Sequence, residues 1–263
     1  MRDIVVKLGG EVVGDPRLAG IAADLASLVG GGDRVVIVHG GGPQATALSR
    51  RLGIEPRIVG GRRVTDEPTL GVMKMVVAGE LNVDLCAALR AAGLRPLGMH
   101  GAIRARRRPP TVVSGGGPEP IDFGLVGDVV DFDLELLAVA HRAGRVPVLA
   151  CLGCDEHGGV FNINADIVAA QLAVALAADP LVLVTSTGGV LRDVRDPSSR
   201  IPSLTAAEGR RAIADGTVAG GMIPKLEESF AALASGVRRI VIVDRDVARA
   251  VREPGEVGTT LYG

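Results

Sequence analysis

The feature that most constrains what this chain can fold into is a regular alternation, from its first residues, of short β-branched apolar runs with longer segments of helical apolar spacing. Ile4 to Leu8 reads as a strand, and Leu18, Ile21, Ala22, Leu25 and Leu28 follow at helical spacing behind the capping signal Asp15-Pro16. Arg34 to Val38 is a second strand ending at His39, and Pro43 opens a helix running through Leu48 and Leu52. A longer helix starts at Asp66 to Pro68 and carries Leu70, Met73, Val77, Leu81, Leu85 and Leu89 on one stripe. The same alternation returns with Leu134 to Ala143 as helix, Val146 to Leu149 as strand, Asp166 to Ala177 as helix and Leu181 to Thr185 as strand. Two helices, Thr205 to Asp215 and Met222 to Ser235, then precede a last strand at Arg239 to Val243. Such alternation builds βαβ units around a largely parallel sheet, because each parallel crossover lays a helix on the sheet's face. The expectation is an α/β fold with one continuous sheet and two lobes divided near Ala178 to Leu181. Between Arg95 and Val130 the pattern breaks into short runs separated by Gly115 to Gly117 and Pro118 to Pro120, which predicts hairpins.

Composition narrows the function. Aromatic residues make up 2% of the chain, too few for surfaces that stack bases, and the net charge of −1 gives no field to gather polyanions, so a nucleic-acid role is disfavoured. The one dense basic run, Arg104 with Arg106, Arg107 and Arg108, reads as a solvated strand or loop. Cys86, Cys151 and Cys154 are too few for a disulfide framework, and no second pair completes a zinc site around Cys151, Cys154 and His157. Asp3 and Lys7 interrupt the first apolar stretch, and no uncharged apolar run approaches membrane-spanning length. The expectation is a cytoplasmic protein without a membrane partner.

Two glycine clusters follow strands directly: Gly9-Gly10 after the first and Gly40-Gly41-Gly42 after the second. Backbone without a Cβ approaches a phosphate closely, and a following helix N-terminus adds N–H donors, so either cluster is an anion cradle or a tight turn that binds nothing. Gly40, Gly42 and Ala45 also fit the dinucleotide pattern G-x-G-x-x-A, with Arg62 and Arg63 available to a 2′-phosphate, but that reading leaves Lys7 unused. The P-loop pattern is absent. Lysine is scarce in this arginine-rich chain, yet Lys7 interrupts an apolar strand before Gly9-Gly10, and Lys225 follows a second glycine turn. Asn162, Asn164 and Asp166 gather two amides and a carboxylate at a helix start. They would share one face if the stretch is extended, while Asp166 alone reads as a helix cap.

These segments, Lys7-Leu8-Gly9-Gly10, Val38-His39-Gly40-Gly41-Gly42-Pro43-Gln44, Arg63-Val64-Thr65-Asp66, Asn162-Ile163-Asn164-Ala165-Asp166 and Gly220-Gly221-Met222-Ile223-Pro224-Lys225, span nearly the whole chain. In their order and content the chain resembles the amino acid kinase family, and most closely its branch that acts on N-acetyl-L-glutamate in arginine biosynthesis. The resemblance implies an open, mainly parallel eight-stranded sheet sandwiched between helices in three layers. It implies a single domain over 1–263, with an N-lobe at about 1–178 for the acyl amino acid and a C-lobe at about 179–263 for ATP. The reaction it implies is phosphorylation of the γ-carboxylate by ATP with Mg2+. Because both reactants are anions and the transition state spreads negative charge, positioned cations should do most of the catalysis.

Lys7, Asp166 and Lys225 are the implied catalytic set, the two lysines meeting phosphoryl charge and Asp166 holding both ammonium groups. Gly41, Gly42, Arg63, Asn162 and Asn164 are the implied substrate contacts, and Lys7, Gly9, Gly10, Thr185, Ser186 and Lys225 the implied nucleotide contacts. Two stretches depart from that branch: Gly98-Met99-His100-Gly101 stands where Gly-Lys-Asp-Gly is usual, and Ser186 stands where an aspartate is usual. A kinase of a related or carrier-linked acid, aminoadipate or glutamate, is the alternative enzyme, and a non-catalytic acyl amino acid sensor the alternative from another class. Three residues precede the first strand, where arginine-inhibited hexameric relatives carry a helix, so a homodimer unresponsive to arginine is expected, with the Leu70 to Leu89 stripe available for its contact.

Overall fold

The chain begins with β1 (Asp3–Leu8), α1 (Arg17–Gly30), β2 (Arg34–His39) and α2 (Gly42–Arg51), each within a residue or two of the boundaries read from spacing. The computed structural model describes every residue except Ser114 and Gly221, together with all side chains but those two and Pro224. Gly221 and the Pro224 side chain, both within the segment Gly220 to Lys225 singled out from sequence, therefore lie outside the described residues. A two-stranded ribbon follows, β3 (Ile58–Val59) and β4 (Arg62–Arg63). Then α3 (Glu67–Met73) passes through a π-helical stretch, Lys74–Leu81, into α4 (Asn82–Ala91). Asp66 caps α3, its carboxylate accepting from Thr69 N at 2.9 Å.

The middle of the chain supplies β5 (Pro96–Met99), β6 (Ile103–Arg107), β7 (Gly127–Phe132), α5 (Leu134–Arg142), β8 (Val146–Ala150), β9 (Leu152–Cys154) and β10 (Val160–Asn162). The remainder supplies α6 (Ala165–Ala175), β11 (Leu181–Val184), β12 (Ser203–Thr205), α7 (Ala206–Ala214), α8 (Met222–Ala234), β13 (Arg239–Val243), α9 (Val247–Arg252) and β14 (Thr259–Tyr262). Eight strands form the main sheet in the order β12-β14-β13-β11-β1-β2-β8-β5, parallel throughout except for the antiparallel pair β13–β14. The central strands β1, β2, β11 and β13 are near-continuous apolar runs because helices cover both sides of them. On one face α1 packs with α4 and α9; on the other α6 packs with α8.

Two expectations are corrected. The sheet is not single: β10, β9, β6 and β7 form a separate four-stranded sheet beside the ribbon β3–β4. The reason lies in the period. In β6, buried Ile103 and Ala105 alternate with exposed Arg104 and Arg106, a half-buried pattern that pairs antiparallel with β7 rather than joining a sheet covered on both faces. Arg104, Arg106 and Arg107 are there the solvated strand expected of the run, Arg104 and Arg107 paired to Asp131 and Asp122, whereas Arg108, just beyond β6, is largely buried and paired to Asp128. Secondly, the stripe from Leu70 to Leu89 faces the core, every one of its members being buried, so it offers no surface to a second copy. Repeated spacings of four outrun an α-helix of about 3.6 residues per turn, and the wider π turn brings the stripe back to the core. Met75 and Val83, 53% and 65% exposed, mark the outer face of the same helical run.

From β1 the chain steps to β2 in one direction across the sheet, and from β11 to β13 in the other. Loops leaving the C-terminal ends of β1 and β11 therefore diverge and open a crevice, the usual ligand position in an open α/β sheet.

Candidate active site

Lys7 is the one charge within the buried run of β1, its side chain 10% exposed, and it is aimed at the crevice just before Gly9. Its Nζ stands 2.9 Å from Asp166 Oδ1. Asp166 is free for this contact because the residue two before it takes the capping role: Asn164 Oδ1 accepts from Asp166 N at 2.8 Å, so α6 is capped by the asparagine and not by the aspartate. Asn162 ends β10, so the three polar residues are not one extended face; they nevertheless line the same cavity. Burial pushes the Asp166 carboxyl up, but the ammonium charges of Lys7 and Lys225 outweigh it and hold the carboxyl below its ordinary value. Lys225, in the first turn of α8, is pulled below the ordinary lysine range, chiefly by burial, with Asp166 opposing and Lys7 adding to the shift.

A cavity of about 590 Å³ lies over the two glycine loops. The loops abut so closely that a Cβ on Gly10 would stand 2.8 Å from Gly41 Cα, and one on Gly41 would stand 2.6 Å from Leu81. Glycine is needed here for approach rather than for backbone torsion. Gln44 ties the loops together, donating from Nε2 to Gly10 O at 2.5 Å. Arg63 enters from the ribbon and donates from Nη2 to Gly42 O at 3.0 Å and to Thr46 Oγ1 at 2.7 Å. Its Nη1 is buried and meets no acceptor among the described residues, an orphaned donor that a carboxylate in the cavity would satisfy. Asn162 donates to Thr65 Oγ1 at 3.1 Å.

A second cavity, of about 870 Å³, lies over the loop after β11 and against the start of α8. Lys225 and Glu11 line both cavities, so the two spaces meet at the lysine cluster. Two anionic ligands entering from opposite sides would bring their charged ends together there, against two ammonium groups.

Of the residues singled out from sequence, Lys7, Asp166, Gly41, Gly42, Arg63, Asn162 and Asn164 line the first cavity. The expected nucleotide contacts divide: Gly9 and Gly10 lie with Lys7 in the first cavity, Thr185 and Ser186 in the second, and Lys225 in both. Met99 and His100 line neither cavity. Sequence reasoning missed Glu11 in the first cavity and Glu228 beside Lys225, which carry no local pattern that separates them from ordinary surface residues; Arg108 and Cys151, noted only within the basic run and the cysteine pair, also line the first cavity. Cys151 is buried, and burial pushes its thiol up to about 12, so it is an unreactive wall. Among the described residues no group of three or more histidines, cysteines or acidic residues is arranged to hold a metal ion, and no helix is long and apolar enough to cross a membrane.

A family profile described as the amino acid kinase family matches residues 3–244. The chain is 62% identical over 269 aligned residues to the acetylglutamate kinase of Anaeromyxobacter dehalogenans (strain 2CP-C), spanning 99% of this chain and 100% of that protein. It is 60% identical over 266 residues to the acetylglutamate kinase of Sorangium cellulosum (strain So ce56), spanning 98% of this chain and 94% of that one. Among solved structures, an N-acetylglutamate synthase from Neisseria gonorrhoeae, complexed with coenzyme A and N-acetyl-glutamate, superposes with a TM-score of 0.82 at 26% identity, covering 100% of this chain and 59% of that one.

Proposed function

The chain belongs to the amino acid kinase family, and on that premise we propose that it transfers the γ-phosphoryl group of ATP to the γ-carboxylate of N-acetyl-L-glutamate, forming N-acetylglutamyl 5-phosphate for arginine biosynthesis. The observation that carries this reading is the Lys7–Asp166–Lys225 cluster at the seam of two cavities. The 60–62% identity to acetylglutamate kinases supports the choice of acid.

In this reading the acyl amino acid occupies the first cavity, in a lobe of about 1–178, and ATP the second, in a lobe of about 179–263. Arg63 takes the α-carboxylate, its orphaned Nη1 supplying one donor, with Asn162 at the same end, Asn164 at the amide and Gly41 and Gly42 beneath. The γ-carboxylate is itself the nucleophile, so no covalent enzyme intermediate is required. Lys7, with the backbone N–H of Gly10, meets charge on the phosphoryl group in transfer. Lys225 meets charge on the leaving ADP, Asp166 keeps both lysines in place, and Thr185 and Ser186 contact the nucleotide. Mg2+ would arrive as part of the ATP substrate and would offset charge on its phosphates, no group of the described residues being arranged to hold it. The protein acts in the cytoplasm, where ATP is available, as a homodimer.

A carrier-linked substrate would need an exposed basic track, for which Arg104 to Arg108 is the candidate; with Arg104, Arg107 and Arg108 each paired to an aspartate, that support is weak. The deciding experiment incubates the protein with Mg-ATP, hydroxylamine and each candidate acid, and measures hydroxamate formed from the acyl phosphate. Product from N-acetylglutamate alone is expected. Product with aminoadipate or a carrier alone would overturn the substrate, and none with any acid would favour the sensor.

A further inference from the structure

The ribbon β3–β4 stands over the first cavity, whose wall includes Ile58, Gly61, Arg62 and Arg63. Its turn is two glycines at positive φ, Gly60 at 54° and Gly61 at 76°, the signature of the tight hairpin turn that twists with its strands. Successive side chains of a strand point to opposite sides, and β4 uses both. Arg63 reaches to α2, at Gly42 O and Thr46. Arg62 reaches the other way, to α8, where its Nη2 is 3.7 Å from Glu228 Oε1; the two side chains are 27% and 23% exposed. The same guanidinium donates from Nη1 to Gly60 O at 3.1 Å, bracing the turn. A small cavity of about 160 Å³ lies between ribbon and helix, bounded by Arg62, Glu228, Lys225 and Asp166.

Glu228 lies three residues beyond Lys225 on α8, hence on the same helical face. It faces Asp166 from α6, Lys7 from β1, Lys225 from α8 itself and Arg62 from β4. Signs therefore alternate from ribbon to catalytic cluster: Arg62, Glu228, Lys225, Asp166, Lys7. A half-buried pair of this kind is screened less than a surface pair and holds its two elements in one relative position.

We propose that Arg62 and Glu228 are positioning residues that clamp the β3–β4 ribbon to α8, so that closure of the substrate cavity under Arg63 and alignment of Lys225 are set together. This rests on the kinase reading for its consequence in turnover, though not for the clamp itself. Neither residue touches the reacting atoms; both act through Arg63 and Lys225. Burial pushes the Glu228 carboxyl up, the charge of Asp166 adds to this, and Arg62, Lys225 and Lys7 oppose it, leaving it above its ordinary value. Acidification therefore protonates Glu228 before ordinary carboxylates and opens the clamp.

The test compares Arg62→Gln, Glu228→Gln, the double variant and Arg62→Lys with the parent, by amide hydrogen exchange of residues 58–63 and by steady-state kinetics, thermal unfolding serving as a control of folding. Each glutamine variant is expected to speed exchange in the ribbon and to raise KM for N-acetylglutamate about fivefold, with a smaller change in kcat. The double variant should be no worse than either single one, since one interaction is lost only once. Arg62→Lys should keep most of the protection. KM of the parent should rise on acidification above the ordinary carboxylate range, and Glu228→Gln should lack that rise. Ribbon exchange unchanged in both single variants, or effects that simply add, would overturn the clamp. If the parent forms no acyl phosphate from N-acetylglutamate, the functional reading fails, and the exchange measurement by itself decides the clamp.

Discussion

One arm of the Arg63 guanidinium is held by Gly42 O and Thr46, and the other is buried with no acceptor among the described residues. The rigid guanidinium keeps Nη2 on Gly42 O and Thr46 while Nη1 donates to a carboxylate, two tasks in one plane that a single ammonium does not reproduce. Arg63→Lys is therefore expected to raise KM for N-acetylglutamate by roughly ten- to a hundredfold, the loss of about 1.5–3 kcal/mol for a hydrogen bond to a charged group, with a smaller effect on ATP. Steady-state kinetics with each substrate varied in turn checks this, and an unchanged KM for the acid would remove Arg63 from the contact. Lys225 makes a claim about pH. Its ammonium is destabilised by burial, so as pH rises its proton is lost below the ordinary lysine range. An alkaline fall of kcat/KM for ATP is expected there, since that parameter reports the free enzyme. Lys225→Arg, whatever its rate, should carry the fall to higher pH; a fall that stays where it was would assign it to another group.

His39 links four elements. It ends β2 fully buried, its Nδ1 lies 3.0 Å from Gly40 O in the glycine loop, and its Nε2 lies 2.9 Å from Asn82 Nδ2 at the start of α4. Asn82 donates in turn to Val148 O of β8 at 3.1 Å. Asn82 Nδ2 is a donor, so Nε2 accepts and Nδ1–H donates to Gly40, which requires a neutral ring. Burial depresses the His39 pKa below 6.5, with the Gly40 contact opposing. The sign follows: the unfolded chain binds this proton first, so the contribution of His39 is fully present above the unfolded pKa and is lost as pH falls through the folded one. Unfolding midpoints in urea should decline from neutrality toward pH 5. His39→Leu should flatten that decline while costing about 1–3 kcal/mol at neutral pH, because Gly40 O loses its partner. A decline that persists undiminished in the variant would place its origin elsewhere. The neighbouring π turn serves the same loop, bringing Val77 and Leu81 against Gly41.

For the molecule as a whole, Met75 and Val83 on the outer face of the α3 to α4 run, and Leu97, 38% exposed, on the sheet-edge strand β5 against which α4 packs, are apolar side chains open to an interface. A two-fold homodimer through it would bury these side chains. Light scattering coupled to gel filtration is expected to report a dimer, and Met75→Glu with Val83→Glu a monomer; a monomeric parent would refute the assembly. At this scale the division between chain and fold becomes visible. Sequence by itself determined the α/β class, the order of most elements and the helix starts at Asp66 and Thr205, because periodicity and turn chemistry are written in neighbouring residues; Lys7, Arg63 and Asp166, which line one cavity, were singled out by resemblance together with an isolated charge beside glycines. Short strands such as β12 and β14, and α9, escaped it, since a few residues carry too little pattern to register. Tertiary structure alone decided that Asn164 rather than Asp166 caps α6, that the Leu70 to Leu89 stripe is core, and that Glu11 lies where two cavities meet. It alone brought Arg62 to Glu228 from opposite ends of the chain. Those outcomes depend on which faces the packed sheet turns toward one another, and no spacing along the chain encodes a contact between residues so far apart in it.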